Sequence, residues 1–321
     1  MGRVSQKSKK TSFPLEKRKT PGFALEPRRD ISTGPRGQNG KWLSVYLPRL
    51  MLEVQSGGAE FLDPFAVVDG KAKNRLLIFN QHAKEKGLQV GMPLSAAFAL
   101  ATDLRVKERD EFAEKSALEA LAGWATQFTS FVAVEPPQAL LMEIGGSEKL
   151  FGGMTLLVHS IEQGLKQLGY ESRMSIAPTP LAALLLSRSG SRNRSWTHSI
   201  TGDLAKVPLE YSGLEEKVVQ TLFSLGLRTF ADCYRLPRDG LARRVGPQVV
   251  MFLDKVLGNI SDPRSPYVVP KSFKRCLSLP EEVAGAGALL FALRRPLLEL
   301  TGILRASDAG IQMLSIDLYH R

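Results

Sequence analysis

Two amphipathic helical patterns enclose a pair of short apolar runs in the middle of the chain, and this alternation limits the possible folds more than any other feature. Apolar residues recur at three- and four-residue steps over 118–128 and again over 154–168, which predicts two helices that each bury one face. Between them, residues 131–134 and 139–144 predict two paired strands. The sequence therefore predicts a sheet with helices packed on it.

Further strand patterns lie on both sides of this unit. Residues 42–47 alternate, with Leu43, Val45 and Leu47 on one face, which is typical of a half-buried strand. Other short apolar runs predict strands at 64–70, 75–79 and 173–177 and helices at 95–101 and 180–186. The fold class expected for this part is mixed α/β.

The pattern changes after Trp196 to short helices separated by glycine and proline. Gly226 lies at the junction of two helical patterns within 222–231, which gives a helix-hairpin-helix outline, and a further helix over 247–257 ends at Gly258. Beyond it, the sequence predicts a linker over 261–266, an extended segment over 271–276, a helix of about 20 residues from Gly287, and an apolar strand over 311–318.

Positive charge is concentrated at the start of the chain. Of the formal net charge of +11, residues 1–40 carry +7. This stretch has no periodic apolar pattern, so we expect a disordered basic tail. It serves either as an arm for a polyanion such as DNA or as a solubilising tail, and the sequence leaves both open.

Several classes of protein are excluded by what the sequence lacks. Cys233 and Cys276 lie far apart without metal-ligand spacing, which argues against a disulfide scaffold or a zinc module and favours a reducing cytoplasm. No run of about 18 apolar residues is long enough to cross a membrane, and no secretory signal or phosphate-loop motif is present. We expect no bound cofactor.

Three motifs together resemble the Y-family DNA polymerases, the translesion enzymes. Residues 80–93 are similar to the family's finger segment, 145–152 to its palm turn, and 175–184 to the strand and helix that follow. The order and spacing agree, and a helix-hairpin-helix follows.

The resemblance implies an α+β palm and fingers, a helical thumb and a partial little finger. The expected divisions are listed by residue number: a basic tail at 1–40, a palm at 41–52 and 111–204, a fingers insertion at 53–110, a thumb at 205–262, and a linker with a truncated little finger at 263–321.

The family uses carboxylates to hold two Mg²⁺ ions for phosphoryl transfer. Alignment places Tyr46 and Pro48 at the first two acidic positions, and Gln138 and Ala139 at the catalytic Asp-Glu pair. A neutral amide or a methyl group cannot replace a carboxylate as a ligand of Mg²⁺. The sequence therefore predicts loss of polymerase activity, with no catalytic or metal-binding residue.

Other polar groups of the family site are also changed. The positions that contact the triphosphate hold Gln81, Lys84 and Leu184, of which Lys84 alone offers a cation to a phosphate. Rescue of the metal site by other acids would have to use Glu53, Glu135 or Glu143, although Glu143 matches a family acid outside the metal pair.

The altered acidic motifs resemble those of the ImuB-type proteins of bacterial mutasomes. That resemblance implies a polymerase-like adaptor without synthesis activity, active in damage-induced (SOS) mutagenesis and translesion synthesis. The implied partners are an ImuA-type RecA-like protein, an error-prone replicative-type polymerase and the sliding clamp. The family's clamp-binding peptide follows the little finger, and we find no such peptide in this sequence, which ends at Arg321.

The predicted DNA contacts fall into two groups. A hairpin would offer backbone N–H groups to a phosphate, with Arg228 beside it, although Gly226 is equally typical of a helix C-cap. The second group would follow the template backbone on the extended segment. The predicted residues are Leu225, Gly226, Leu227, Arg228, Lys271, Lys274 and Arg275.

Three hypotheses for function follow. The first is a non-catalytic, DNA-binding adaptor. The second is an active, low-efficiency, error-prone translesion polymerase that uses unmatched carboxylates. The third is a protein-interaction platform whose DNA affinity comes only from residues 1–40.

Overall fold

The computed structural model describes residues 40–57, 62–70, 74–190, 200–270, 272–276 and 286–317. The strands are β1 (Trp42–Tyr46), β2 (Phe65–Val68), β3 (Leu76–Phe79), β4 (Arg105–Glu108), β5 (Phe131–Glu135), β6 (Ala139–Glu143) and β7 (Arg173–Ala177). The helices are α1 (Leu50–Gln55), α2 (Gln81–Glu85), α3 (Leu94–Leu100), α4 (Glu111–Ala125), α5 (Met154–Gln167), α6 (Pro180–Arg188), α7 (Ile200–Ala205), α8 (Glu216–Ser224), α9 (Phe230–Tyr234), α10 (Arg238–Val245), α11 (Pro247–Leu257) and α12 (Ala286–Ser307), with a 3-10 turn at Leu209–Ser212.

The main sheet has four antiparallel strands in the order β5-β6-β1-β7. β1 is central, and its alternation divides its side chains between two cores. Leu43, Val45 and Leu47 face the core formed with α4 and α5, as the sequence predicted. Trp42 faces the opposite core, which α6 and the helices after it complete. The mixed α/β class and the sheet with helices packed on it are confirmed.

Small polar residues let α6 approach the sheet closely. Ser44 of β1 and Ser187 of α6 are fully buried, and their hydroxyl oxygens lie 2.8 Å apart in a hydrogen bond. At the start of the same helix, Thr179 accepts a hydrogen bond from the Ala182 amide and donates one to the carbonyl of Val256 in α11. These contacts fix the helical unit of α7–α11 against the main sheet.

A second, three-stranded sheet lies in the segment expected to be the fingers. β2 is its middle strand and pairs antiparallel with β3 and parallel with β4. Its small core is formed with α2 and α3 around Ala83 and Ala97. The limits of the expected domains stay a prediction.

The strand expected over 311–318 is corrected. Residues 311–317 form no strand in the described part, and their apolar side chains bury little surface, since Met313 is 62% exposed and Ile316 is 48% exposed. Residues 272–276 are also outside any strand, and Lys271 lies outside the described residues. The long helix expected from Gly287 is confirmed as α12.

No helix among the described residues is long and apolar enough to span a lipid bilayer.

Candidate functional site

A cleft of about 1010 Å³ lies where the end of β1 meets the helical unit. Its walls are the turn between β5 and β6, the side of α6, the 3-10 turn, α11, and the linker residues 262–264. This volume suits a bound small molecule or a segment of a macromolecule.

The cleft contains the positions that alignment assigned to the family's chemistry. Tyr46, Gln138, Ala139 and Leu184 all line it. Tyr46 and Ala139 are direct partners across β1 and β6, and the Leu47 amide donates to the carbonyl of Gln138 at 2.8 Å. Pro48 is not among the lining residues. Residues distant in sequence are therefore brought together at one place by the strand register.

Three acids line the same cleft, but two of them are paired with an arginine of the linker. Arg264 donates to Glu135, and its Nη2 atom lies 2.7 Å from Oδ2 of Asp262. Their side chains are mostly buried, with 16% of Arg264, 23% of Glu135 and 8% of Asp262 exposed. The third acid, Glu210, stands on the 3-10 turn.

These side chains do not fit a pair of Mg²⁺ ions. Tyr46, Gln138 and Ala139 supply a phenol, an amide and a methyl group, none of which is an anionic oxygen at neutral pH. Within the described ranges, no three His, Cys, Asp or Glu side chains are grouped so that they could hold a metal ion.

The three acids that could replace the missing metal ligands either lie outside the cleft or are paired with another group. Glu53 does not line the cleft, and its carboxylate accepts the amide of Glu171 at 2.8 Å. Glu143 accepts the amide of Gly145 at 3.0 Å and thereby shapes the following turn. Glu135 is the rescue candidate that lines the cleft, and it is paired with Arg264.

Arg188 is a cleft residue that sequence reasoning missed. It follows Leu184 by one helical turn on α6, so the two side chains share a face. Its guanidinium lies near Glu135, Tyr46 and Arg264, and burial lowers its pKa from the ordinary value. The i, i+4 spacing from Leu184 was a signal that could have found it.

Lys84, the expected nucleotide-phosphate contact, is exposed on the short helix α2 and does not line the cleft. The helix is capped by Asn80, whose side chain accepts the amide of Ala83. Gln81 donates to Glu85 at 3.1 Å on the same helix.

The hairpin expected to bind a DNA phosphate uses its amides internally. Gly226 adopts a left-handed conformation (φ 79°) just after α8, and this is the C-cap geometry that the sequence left open as an alternative. The amides of Arg228 and Thr229 both donate to Oδ2 of Asp232, at 3.0 and 2.8 Å. The amides of Leu225, Gly226 and Leu227, which were predicted to face a phosphate, donate to carbonyls of α8 instead.

Unlike its amides, two of the hairpin's side chains are exposed to solvent. The Arg228 guanidinium is exposed and lies over the Phe223 ring, 4.6 Å from its centroid. Leu225 is 40% exposed, whereas Leu227 is buried in the core of the helical unit. Only Arg228 offers a cation here.

In the second predicted group of DNA contacts, one cation is held inside the protein and another is exposed. Arg275 donates to the carbonyl and hydroxyl of Ser116, and its Nε atom lies 2.8 Å from Oε2 of the fully buried Glu299. Its guanidinium is therefore used inside the protein. Lys274 is exposed.

The sequence is similar to a known protein family and to curated bacterial proteins. The impB/mucB/samB family model matches residues 61–188. Protein ImuB from two strains of Caulobacter vibrioides is 32% identical over 223 residues, which is 67% of this chain and 49% of the relative. The chain thus spans about half the length of these curated relatives.

Solved structures of Y-family DNA polymerases share the fold. A post-insertion binary complex of Dbh DNA polymerase matches with a TM-score of 0.57 and 14% identity, and DinB from Sulfolobus solfataricus with 0.53 and 14%. Each comparison covers 70% of this chain and 69% of the other. The resemblance to the Y-family polymerases and to the ImuB-type proteins is confirmed.

Proposed function

We propose that this chain is a non-catalytic, Y-family polymerase-like adaptor that binds DNA in damage-induced mutagenesis and translesion synthesis. The observation that carries the proposal is the cleft. Tyr46, Gln138 and Ala139 meet there, at the positions that the family fills with metal-binding acids. The framework of an active site is kept, while the ligands for its chemistry are replaced.

The chemistry of the family depends on negative charge in the cleft. Two-metal phosphoryl transfer needs anionic ligands that hold the ions while they neutralise the developing charge on the phosphate oxygens. In this cleft, two of the three carboxylates are already bound by the guanidinium of Arg264. Among the residues that the structure describes, the cleft therefore offers no group of carboxylates for two metal ions, and this supports binding rather than catalysis as the activity of the chain.

The proposed DNA contacts are side chains rather than backbone amides. Arg228 and Lys274 are exposed cations, and residues 1–40 add a net charge of +7. Contacts of this kind act on the phosphate backbone, carry no sequence preference, and weaken as salt rises. Arg275 takes no part in this proposal because Glu299 and Ser116 use its guanidinium.

The proposed partners come from the resemblance to the ImuB-type proteins. They are an ImuA-type RecA-like protein, an error-prone replicative-type polymerase and the sliding clamp, all acting in the bacterial cytoplasm. The clamp contact requires a peptide that we do not find in this sequence.

The experiment that tests DNA binding compares the full chain with a chain lacking residues 1–40, on primer-template DNA over a range of salt concentrations. We expect the shortened chain to bind more weakly and with a smaller salt slope, but to keep measurable affinity. Complete loss of binding would instead support the interaction platform with tail-dependent affinity.

An active polymerase is the second candidate, and one observation favours it. Glu135 pairs with Ala139, which in turn pairs with Tyr46, so this carboxylate lies in the same row of the sheet. If this acid holds a catalytic metal, Glu135→Gln abolishes Mg²⁺-dependent extension by the chain. The adaptor proposal predicts that there is no extension to abolish.

A further inference from the structure

Arg188 is a cation of the cleft whose donor groups the described part of the protein leaves unused. It is the last residue of α6, it is partly buried, and it lines the cleft. Its guanidinium forms no hydrogen bond and no ion pair with any other residue that the structure describes. A guanidinium carries five N–H donors, and donors in partly buried places normally have partners. Arg188 can therefore still bind a group that enters the cleft.

The two other cations of the cleft are placed differently. Arg264 is already bound to Glu135 and Asp262. Lys255 of α11 lines the cleft without an ion pair to a described residue, but its ammonium is a point charge on a flexible stem. Arg188 instead presents a planar fork of donors, which matches two oxygens of one phosphate group.

The position of this guanidinium is fixed on two sides. Ser187, the preceding residue of α6, is fully buried and hydrogen-bonded to Ser44 of β1, which anchors the end of the helix on the main sheet. A Cβ atom added to Gly213, at the end of the 3-10 turn, would lie 2.7 Å from Nη1 of Arg188. Gly213 also has a φ of 73°, so both its backbone and this close approach favour glycine.

The balance of charge in the cleft limits the anion that it can take. The charged residues among the described lining are three acids and three cations: Glu135, Glu210, Asp262, Arg188, Lys255 and Arg264. A run of several phosphates would meet as much negative as positive charge there. A single phosphate at Arg188 fits better, because two of the three carboxylates are already bound by Arg264.

Arg188 shares the cleft with the positions at which the family holds its metal ions. Tyr46 and Ala139 are partners across β1 and β6, and both line the cleft. Tyr46 and Glu135 are close enough to interact electrostatically with the Arg188 guanidinium. In the family, metal ions neutralise the charge of phosphate oxygens at this place. In this chain, the cleft contains a cation that belongs to the protein itself.

We propose that Arg188 takes over the phosphate-binding role that metal ions have in the family, and that it holds one phosphate group of bound DNA in the cleft without a metal ion. This inference rests on the proposed binding of DNA. It adds a contact inside the cleft, whereas Arg228 and Lys274 do not line it.

Neutralising single phosphates of the DNA tests the proposal on the full chain. Each primer-template in a series carries one uncharged methylphosphonate near the primer end, and fluorescence anisotropy in the presence of a chelator measures the affinity. We expect one position at which the substitution weakens binding by the unaltered chain about tenfold. At that position, the substitution should cost Arg188→Gln little, because the variant has already lost the same contact.

Two further variants separate the effect of charge from that of shape. Arg188→Lys keeps a cation and should recover part of the affinity. The matched control Arg305→Gln removes an exposed charge from the last turn of α12, outside the cleft, and should respond to every methylphosphonate as the unaltered chain does. The salt slope of Arg188→Gln should fall by about 1, which a merely structural role of this arginine would not produce.

Chemical modification of the unaltered chain provides a second measurement that needs no variant. Phenylglyoxal reacts with accessible guanidinium groups, and mass spectrometry identifies the modified arginines. Primer-template DNA should slow the modification of Arg188 several-fold more than that of Arg305.

Two results would overturn this proposal while DNA binding itself remains. They are additive effects of Arg188→Gln and the methylphosphonate at every position, or equal modification of Arg188 with and without DNA. Protection of Arg188 by a free deoxynucleoside triphosphate, but not by primer-template DNA, would assign the phosphate to a free nucleotide and would also overturn it. Absence of any salt-dependent DNA binding by the unaltered chain would overturn the proposed function as well.

Discussion

The two faces of the main sheet are built from the same strands but use their charged groups differently. On the cleft face, Arg264 joins Glu135 to Asp262 near the surface of an open space. On the outer face, Arg275 joins Glu299 to α4 inside a closed contact, where Glu299 has no exposure. The same strands therefore carry a charged group that solvent can reach on one face and a charged group that is sealed from solvent on the other.

The two faces should differ most in the stability that is lost when Arg275 or Arg264 is replaced by alanine. Arg275→Ala leaves the carboxylate of Glu299 buried without its partner, and we expect a loss of about 3–5 kcal/mol in the free energy of unfolding. Arg264→Ala should cost less, about 1–3 kcal/mol, because water reaches Glu135 from the cleft. Urea denaturation of both variants measures the two values, and equal losses would remove the distinction between the faces.

Core substitutions should show that both faces are fully packed. Leu140 and Leu141 are adjacent on β6 and point to opposite cores, and each is at most 1% exposed. Replacement of either by alanine should cost about 2–5 kcal/mol. A much smaller loss for Leu141→Ala in chemical denaturation would mean that the helical unit packs only loosely on the cleft face.

The pH dependence of stability should be specific to the outer face. The folded pKa of Glu53 is about 7, above its ordinary 4.5, so the folded state binds this proton more tightly than the unfolded chain. Its contribution to stability is therefore full below about pH 4.5, and it is lost as the pH rises to about 7.

We expect Glu53→Gln to remove that loss and to raise stability at pH 8 by about 1–3 kcal/mol. Urea denaturation of Glu53→Gln and of the unaltered chain at pH 5 and pH 8 measures this gain in stability. The matched variant Glu135→Gln on the cleft face should show no such gain, and a gain there would place the pH-sensitive group on the wrong face.

The smallest expected effect is on the affinity for DNA. Arg228→Ala removes one exposed cation from the helical unit, so affinity should fall a few-fold, with a reduction of about 1 in the salt slope. Fluorescence anisotropy over a salt series provides both values. Arg275→Ala should leave the slope unchanged because that guanidinium points into the protein, and a drop in its slope would contradict the internal role assigned to it.

Much of the fold could be predicted because local patterns determine it. The alternation in β1, the helical spacing of α4 and α5, and the C-cap glycines each follow from a few neighbouring residues. The strand expected over 311–318 fails because an apolar alternation needs a neighbouring edge, and sequence pattern does not report which edges are available.

The site was predictable in position but not in its electrostatics. Family-like motifs indicated Tyr46, Gln138 and Ala139, and strand register brings them together. The arginine pairings were missed because they join distant residues: Arg264 and Glu135 are 129 positions apart. The DNA contact of the hairpin stays a prediction, but the sequence reading did not include the capping role of Asp232, which lies three residues after Thr229 and accepts its amide.

The most direct test of the central claim is primer extension by the purified full chain with all four deoxynucleotides and Mg²⁺ or Mn²⁺, with DNA binding measured on the same preparation. The account predicts binding that weakens with salt and no extension with either metal. Metal-dependent extension that disappears in Glu135→Gln would contradict it, because it would show that the cleft still assembles a catalytic centre.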